Sequence, residues 1–159
     1  FITILLGGND NFTATEADME ARIDTMFGYL DRLIAAIRVA APQAQIGVVP
    51  MTPPAASQDA FAASYGTAQT RWQYRRTQHR TTEREYESYG GREAEGISLV
   101  PAFVALDTVC GYPTVSAPAN AHSQVQIERM SNGLHPSPGG YYQIGDAFYC
   151  WIKSRLALQ

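Results

Sequence analysis

Residues 1–6 (FITILL), followed at once by Gly7-Gly8-Asn9-Asp10, constrain the fold more than any other stretch of the chain. An unbroken apolar run that stops at glycines reads as a parallel strand buried on both faces. Such a strand needs strand neighbours on either side and helices above and below. Chain termini are normally exposed and frayed. A chain that starts in a core strand therefore leads us to expect that part of the domain precedes Phe1, as a cleaved piece, a separate chain or an upstream segment.

The pattern downstream alternates. Thr13 and Glu16 have capping-box spacing. After them Met19, Ile23, Met26, Leu30, Leu33 and Ile37 recur at helical intervals. Arg38 in the last turn and Pro42 beyond it mark the helix end. Residues 45–51 (QIGVVPM) read as a second buried strand, ending at Thr52-Pro53-Pro54. Residues 58–88 read as one helix, with Phe61, Tyr65, Ala68, Trp72, His79 and Tyr86 along one face. Residues 97–103 (ISLVPAF) read as a third strand, with Asp107 just past its end. A loop is expected over 111–124 and a polar turn over 131–140. The final helix, 141–156, is expected to bury Tyr142, Ile144, Phe148, Trp151 and Ile152. Strands alternating with helices define an α/β layer fold with a parallel sheet. Ligands bind at the carboxyl ends of such strands, so Gly7–Asp10, Thr52–Pro54, Asp107 and the turn around His135 are expected to share one edge.

With 159 residues, 45% of them hydrophobic, residues 1–159 read as one domain. A net charge of −3 gives no reason to expect nucleic acid or an anionic membrane as partner. No apolar run is long enough to cross a bilayer. Arg71, Arg75, Arg76, Arg80 and Arg84 alternate with aromatic residues, a pattern that suits phosphate contact and base stacking. We prefer a surface helix whose arginines pair with Glu83, Glu85 and Glu87. A variant is a lid, or an insertion facing carbohydrate, with Trp72, Tyr74, Tyr86 and Tyr89 stacking on sugar rings. Cys110 and Cys150 lack metal-ligand spacing and read as two buried free thiols. His79 and His122 form no cluster with carboxylates, so no metal and no cofactor is expected.

Two motifs point to one family. Gly7-Gly8-Asn9-Asp10, directly after a buried strand, resembles the Gly-x-Asn-Asp block of SGNH/GDSL-type ester hydrolases. Asn132-Gly133-Leu134-His135-Pro136, just before the last helix, is similar to that family's Asp-x-x-His block. The resemblance covers essentially the whole chain but only the C-terminal part of the family's fold. It implies a three-layer, flavodoxin-like fold whose first strands are missing here. The family's Gly-Asp-Ser nucleophile turn and its oxyanion glycine have no counterpart, and no serine here follows an N-terminal strand.

The resemblance assigns His135 as general base and Asn9 as oxyanion donor, with the backbone at Gly8 beside it. The chemistry agrees: acyl transfer needs a hydroxyl nucleophile, a base and donors for the developing oxyanion. The plain alternatives are a solvated loop histidine and an asparagine satisfying its own turn. Asp10 is expected as a structural hydrogen-bond acceptor beside Asn9. Asn132 stands where the family has aspartate. It leaves three outcomes open: a serine–histidine dyad, which we favour; a substitute carboxylate such as Asp107; or weak catalysis. Asp107 reads equally well as a turn cap, and Asp107 and Trp72 are the candidate substrate contacts.

The function implied is serine-type hydrolysis of a small acyl ester, acetyl on a carbohydrate being one such substrate. The serine would come from an upstream segment or a second chain. The alternative is a carbohydrate-binding relic of the same fold without catalysis. A secreted or periplasmic location follows from the resemblance alone.

Overall fold

The computed structural model describes residues 1–66 and 69–158. Three short strands, β1 (Ile2–Ile4), β2 (Ile46–Val48) and β3 (Ile97–Leu99), form a parallel sheet in that order. Ile2 faces Ile46, and Ile46 faces Ile97, across the sheet. The chain is an α/β protein with a parallel sheet, as the alternation implies.

Helices cover both faces of the sheet. Ile46 and Val48 point to one side, where they pack with Ile23, Met26, Phe27 and Ile34 of α2 (Met19–Ala40). Gly47, between them, points to the other. A methyl group added there would press on Trp151 of α6 (Pro138–Ala157), so the helix lies close against bare backbone. Each fully buried aliphatic side chain in these layers contributes about 1.5–3 kcal/mol. Val49, Val100, Leu106, Tyr112 and Ile144 complete the layer under α6.

β1 differs from expectation. Only Ile4 is buried, Thr3 is exposed, and Leu5 and Leu6 lie beyond the strand and are exposed. β1 is the sheet edge: it pairs with β2 alone, so its apolar residues meet no second neighbour. Helix α2 starts later than the Thr13–Glu16 spacing implies. Asp18 forms the turn instead, accepting hydrogen bonds from the backbone and hydroxyl of Thr15 and from Arg22, which hold its carboxyl down at about 2. Phe27 and Ile34 take core positions, while Leu33 is exposed.

The expected helix over 58–88 is two helices, α3 (Gln58–Tyr65) and α4 (Arg71–Tyr89). Gly66 leaves α3 at φ +57°, and Thr70 with Gln73 forms a reciprocal capping box that starts α4 afresh. Ala68 lies outside the described residues. The new start changes the buried face. Tyr74, Thr77, Gln78, Thr81, Glu85 and Tyr89 point inward, while Trp72, His79 and Tyr86 are exposed. Arginines of α4 pair within the helix, Arg80 with Glu83 and Arg84 with Glu87, and also reach α2 and the turn before it: Arg80 and Arg84 to Glu20, Arg84 to Asp24, and Arg76 to Glu16. Glu85 is buried rather than paired.

β3 stops at Leu99, and Phe103 belongs to a short helix, α5 (Ala102–Ala105). Most of the expected loop is an antiparallel hairpin of β4 (Thr114–Pro118) and β5 (Gln126–Met130). Its first strand is largely exposed and carries no apolar alternation to announce it. Ser137 caps α6 through Gly140 N–H, with Pro138 in the first turn. Tyr142, expected in the core, is exposed. Both cysteines are free, as read, but exposed rather than buried.

Candidate functional site

The carboxyl ends of β1 and β2 and the loop before α6 enclose a cleft of about 400 Å³. Gly8 and Asn9 of α1 (Gly8–Asn11) form one side and His135 another. Thr52 lines it from the end of β2. Two motifs from opposite ends of the chain thus meet, as the edge rule for parallel sheets requires.

The glycine turn positions Asn9. Gly7 has φ +98°, and a Cβ there would overlap the Met26 sulfur, so only glycine allows this close entry onto α2. The following turn leaves Asn9 exposed, and no described hydrogen bond engages its side-chain amide. Asp10 is also exposed, and no described hydrogen bond reaches its carboxylate, contrary to the acceptor role expected beside Asn9.

The histidine loop is held at four places. Asn132 Oδ1 accepts the backbone N–H of Leu134 (2.9 Å) and of His135 (2.8 Å). Gly133 packs on the Phe61 backbone, too close for any side chain, and its carbonyl accepts Ala55 N–H. Ser131 N–H donates to Pro113 O, and both the N–H and the hydroxyl of Ser137 donate to Gly111 O. The imidazole of His135 is exposed at the cleft.

Asn132 therefore acts on the backbone of the loop, and its carbonyl is not available to the imidazole. Asp107 is not a substitute. Its Oδ1 accepts Val109 and Cys110 N–H at 2.7 and 3.0 Å, and these bonds hold its carboxyl below the usual range. It caps a turn and does not line the cleft. Trp72 does not line it either; it is exposed with Arg71 beside its ring.

The cleft's wall is aromatic. Phe12, Tyr65 and Tyr74 line it, with the Phe12 and Tyr65 centroids 4.9 Å apart. Tyr74 is buried, which drives its phenol far above the ordinary value and keeps it a neutral donor to Thr52 O at 3.1 Å. Of the four aromatic residues considered for sugar stacking, Tyr74 alone lines the cleft; Tyr89 is in the core. Phe12 and Tyr141 also line it. Both directly flank a motif, Phe12 after Gly7–Asp10 and Tyr141 after the histidine turn, which was the usable signal. No serine is among the described residues that line the cleft. No group of three potential metal ligands occurs among the described residues. No described helix is long and apolar enough to cross a membrane.

What fold and cleft define is an α/β protein with a pocket at the carboxyl edge of a parallel sheet. No family model, curated protein or solved structure matches the chain.

Proposed function

We propose that this cleft is the base-and-oxyanion half of a serine-type ester hydrolase acting on a short acyl ester, acetylated carbohydrate being one such substrate. The observation that carries the reading is the convergence of Gly8, Asn9 and His135 on one cleft. In this reading His135 takes the proton of an attacking serine and returns it to the leaving alcohol. The Asn9 amide donates to the tetrahedral oxyanion, a contribution of roughly 10²–10³ in rate for one such donor. Because Asn132 serves the loop backbone, the histidine works as a dyad with its serine. The aromatic wall of Phe12, Tyr65 and Tyr74 suits the face of a sugar ring.

The serine comes from a further segment or a second chain. The free edge of β1 supports this reading. A parallel strand added there would lie about 4.8 Å away, with its carboxyl end beside Gly8. The exposed Leu5 and Leu6 give that strand apolar surface to cover.

A second reading, a carbohydrate-binding relic, is favoured by the lack of a serine among the described lining residues and by the turned-in Asn132 carbonyl. A fluorophosphonate probe separates the two when every polypeptide in the purified natural protein is weighed intact. An adduct on a serine of a partner or of a longer chain, lost by about 10⁴-fold or more in rate in His135→Ala, is the expected result. No adduct on any polypeptide, with sugar binding indifferent to His135→Ala, would leave the relic.

A further inference from the structure

A second cleft, of about 550 Å³, lies along α4 and is bounded by Pro53, Pro54 and Phe103. Four arginines and His79 line it, and their charges are not equally balanced. Arg76 is paired with Glu16, and Arg80 with Glu20 and Glu83. Arg71 faces no carboxylate among the described residues; its Nε donates to Ala55 O at 2.7 Å. Arg75, one helical turn on and half-buried, has no hydrogen-bond or ion-pair partner among the described residues. Burial and the Arg75 charge both hold Arg71 below the ordinary guanidinium range, as expected where positive charge is uncompensated.

Gln78 lines the cleft and is 2% exposed. Its Nε2 donates to Met51 O at 3.1 Å, which fixes the orientation of the amide. That orientation leaves Oε1 buried without a donor. Such an unpaired acceptor costs about 1–3 kcal/mol, and because it is sealed from solvent it is a cost of the fold, with no bearing on what the cleft holds. The cleft thus combines two guanidinium groups that lack a carboxylate partner among the described residues with an apolar wall, while Glu83, which also lines it, is engaged by Arg80.

We propose that this cleft binds a small anion carried on a ring with an apolar face, a sugar acid or a sugar phosphate. Arg71 and Arg75, with His79 beside them, hold the carboxylate or phosphate in charge-assisted hydrogen bonds. The less polar face of the ring lies on Pro53, Pro54 and Phe103. The site is separate from the histidine cleft, and the proposal stands whether or not that cleft hydrolyses esters.

Calorimetric titration of the intact protein with glucuronate, glucose 6-phosphate, glucose and inorganic phosphate tests it. One of the two sugar anions should bind, glucose should not, and inorganic phosphate should bind more weakly than the sugar anion. Which anion binds identifies the carboxylate or the phosphate as the recognised group. Arg75→Gln should weaken binding by about tenfold or more, because a charged hydrogen bond is lost. Arg75 has no described partner, so that variant should melt with the wild type, and raised salt should weaken binding as the variant does. Silence from both sugar anions, or equal affinity in Arg75→Gln, overturns the proposal. Inorganic phosphate binding as well as the sugar phosphate would reduce the site to an unselective anion patch. A short single-stranded oligonucleotide binding more tightly than either sugar anion would replace it with a nucleic-acid surface.

Discussion

Asn132 accepts two backbone hydrogen bonds with one oxygen, and that geometry decides what a carboxylate would do in its place. An aspartate would accept the same two N–H groups and keep the loop. It would not turn to the imidazole, because turning would leave two amides without an acceptor. In the proposed hydrolase, Asn132→Asp should therefore leave turnover close to wild type, far from the ~10⁴-fold effect of the same exchange in a serine-protease triad. Steady-state ester hydrolysis by the intact protein checks this, and a gain of that size would mean that the side chain does swing onto His135. That His135 and Asn9 share one cleft was legible in the sequence because each belongs to a recognisable turn at the sheet's carboxyl edge. Spacing could not reveal the role of Asn132, since one residue type serves equally for orienting an imidazole and for closing a turn on its own backbone.

At the scale of the element, α4 depends on its own start. Thr70 Oγ1 accepts Gln73 N–H at 3.2 Å, and Gln73 Oε1 accepts Thr70 N–H at 2.8 Å. Thr70→Ala removes the first bond and should cost about 1 kcal/mol. That corresponds to a fall in melting temperature of about 2–4 °C, read by thermal denaturation; an unchanged melt would show that the cap contributes nothing. The box also explains which parts of the fold were legible. The three strands and α2 were read nearly in place, because apolar runs and a 3.6-residue period come directly from burial. α4 was read with the wrong face, because the period was carried through Gly66 from Phe61, whereas the box resets it. Its true inner face (Tyr74, Thr77, Gln78, Thr81, Glu85) is mostly polar, so hydrophobic spacing carried no signal. The β4–β5 hairpin was missed for a related reason: two largely exposed strands stabilise each other by backbone pairing and need no apolar code.

Across the whole molecule, one buried acid sets how stability follows pH. Glu85 is 2% exposed, lacks a hydrogen-bond partner at Oε2, and lines an apolar cavity of about 170 Å³ with Ile4, Leu30 and Val48. Burial pushes its carboxyl up from 4.5 to about 8. Below the unfolded value both states hold the proton and the group is neutral toward folding. As pH rises from 4.5 to about 8 the unfolded chain ionises first, and stability falls by roughly 5 kcal/mol from this group alone. The exposed acids Asp18, Glu20, Glu95 and Asp107 act in the opposite sense: their lowered values stabilise the fold above the ordinary carboxylate range and are lost as pH falls. Glu85→Gln should therefore melt higher than wild type at about pH 9 and alongside it at about pH 4. Equal melts at the higher pH would place an unseen donor beside Glu85.

The histidine loop and the hairpin are rooted in the same few residues. Ser131 is tied to Pro113 across the base of β4 and β5, and Ser137 to Gly111 just before them. The hairpin extends from that root to a tip around Asn120 to Ser123, and Arg129 of β5 ties it to Asp59 of α3. A substitution that displaced Gly111 or Pro113 would therefore be felt in the exposed ribbon and in the loop carrying His135 at once.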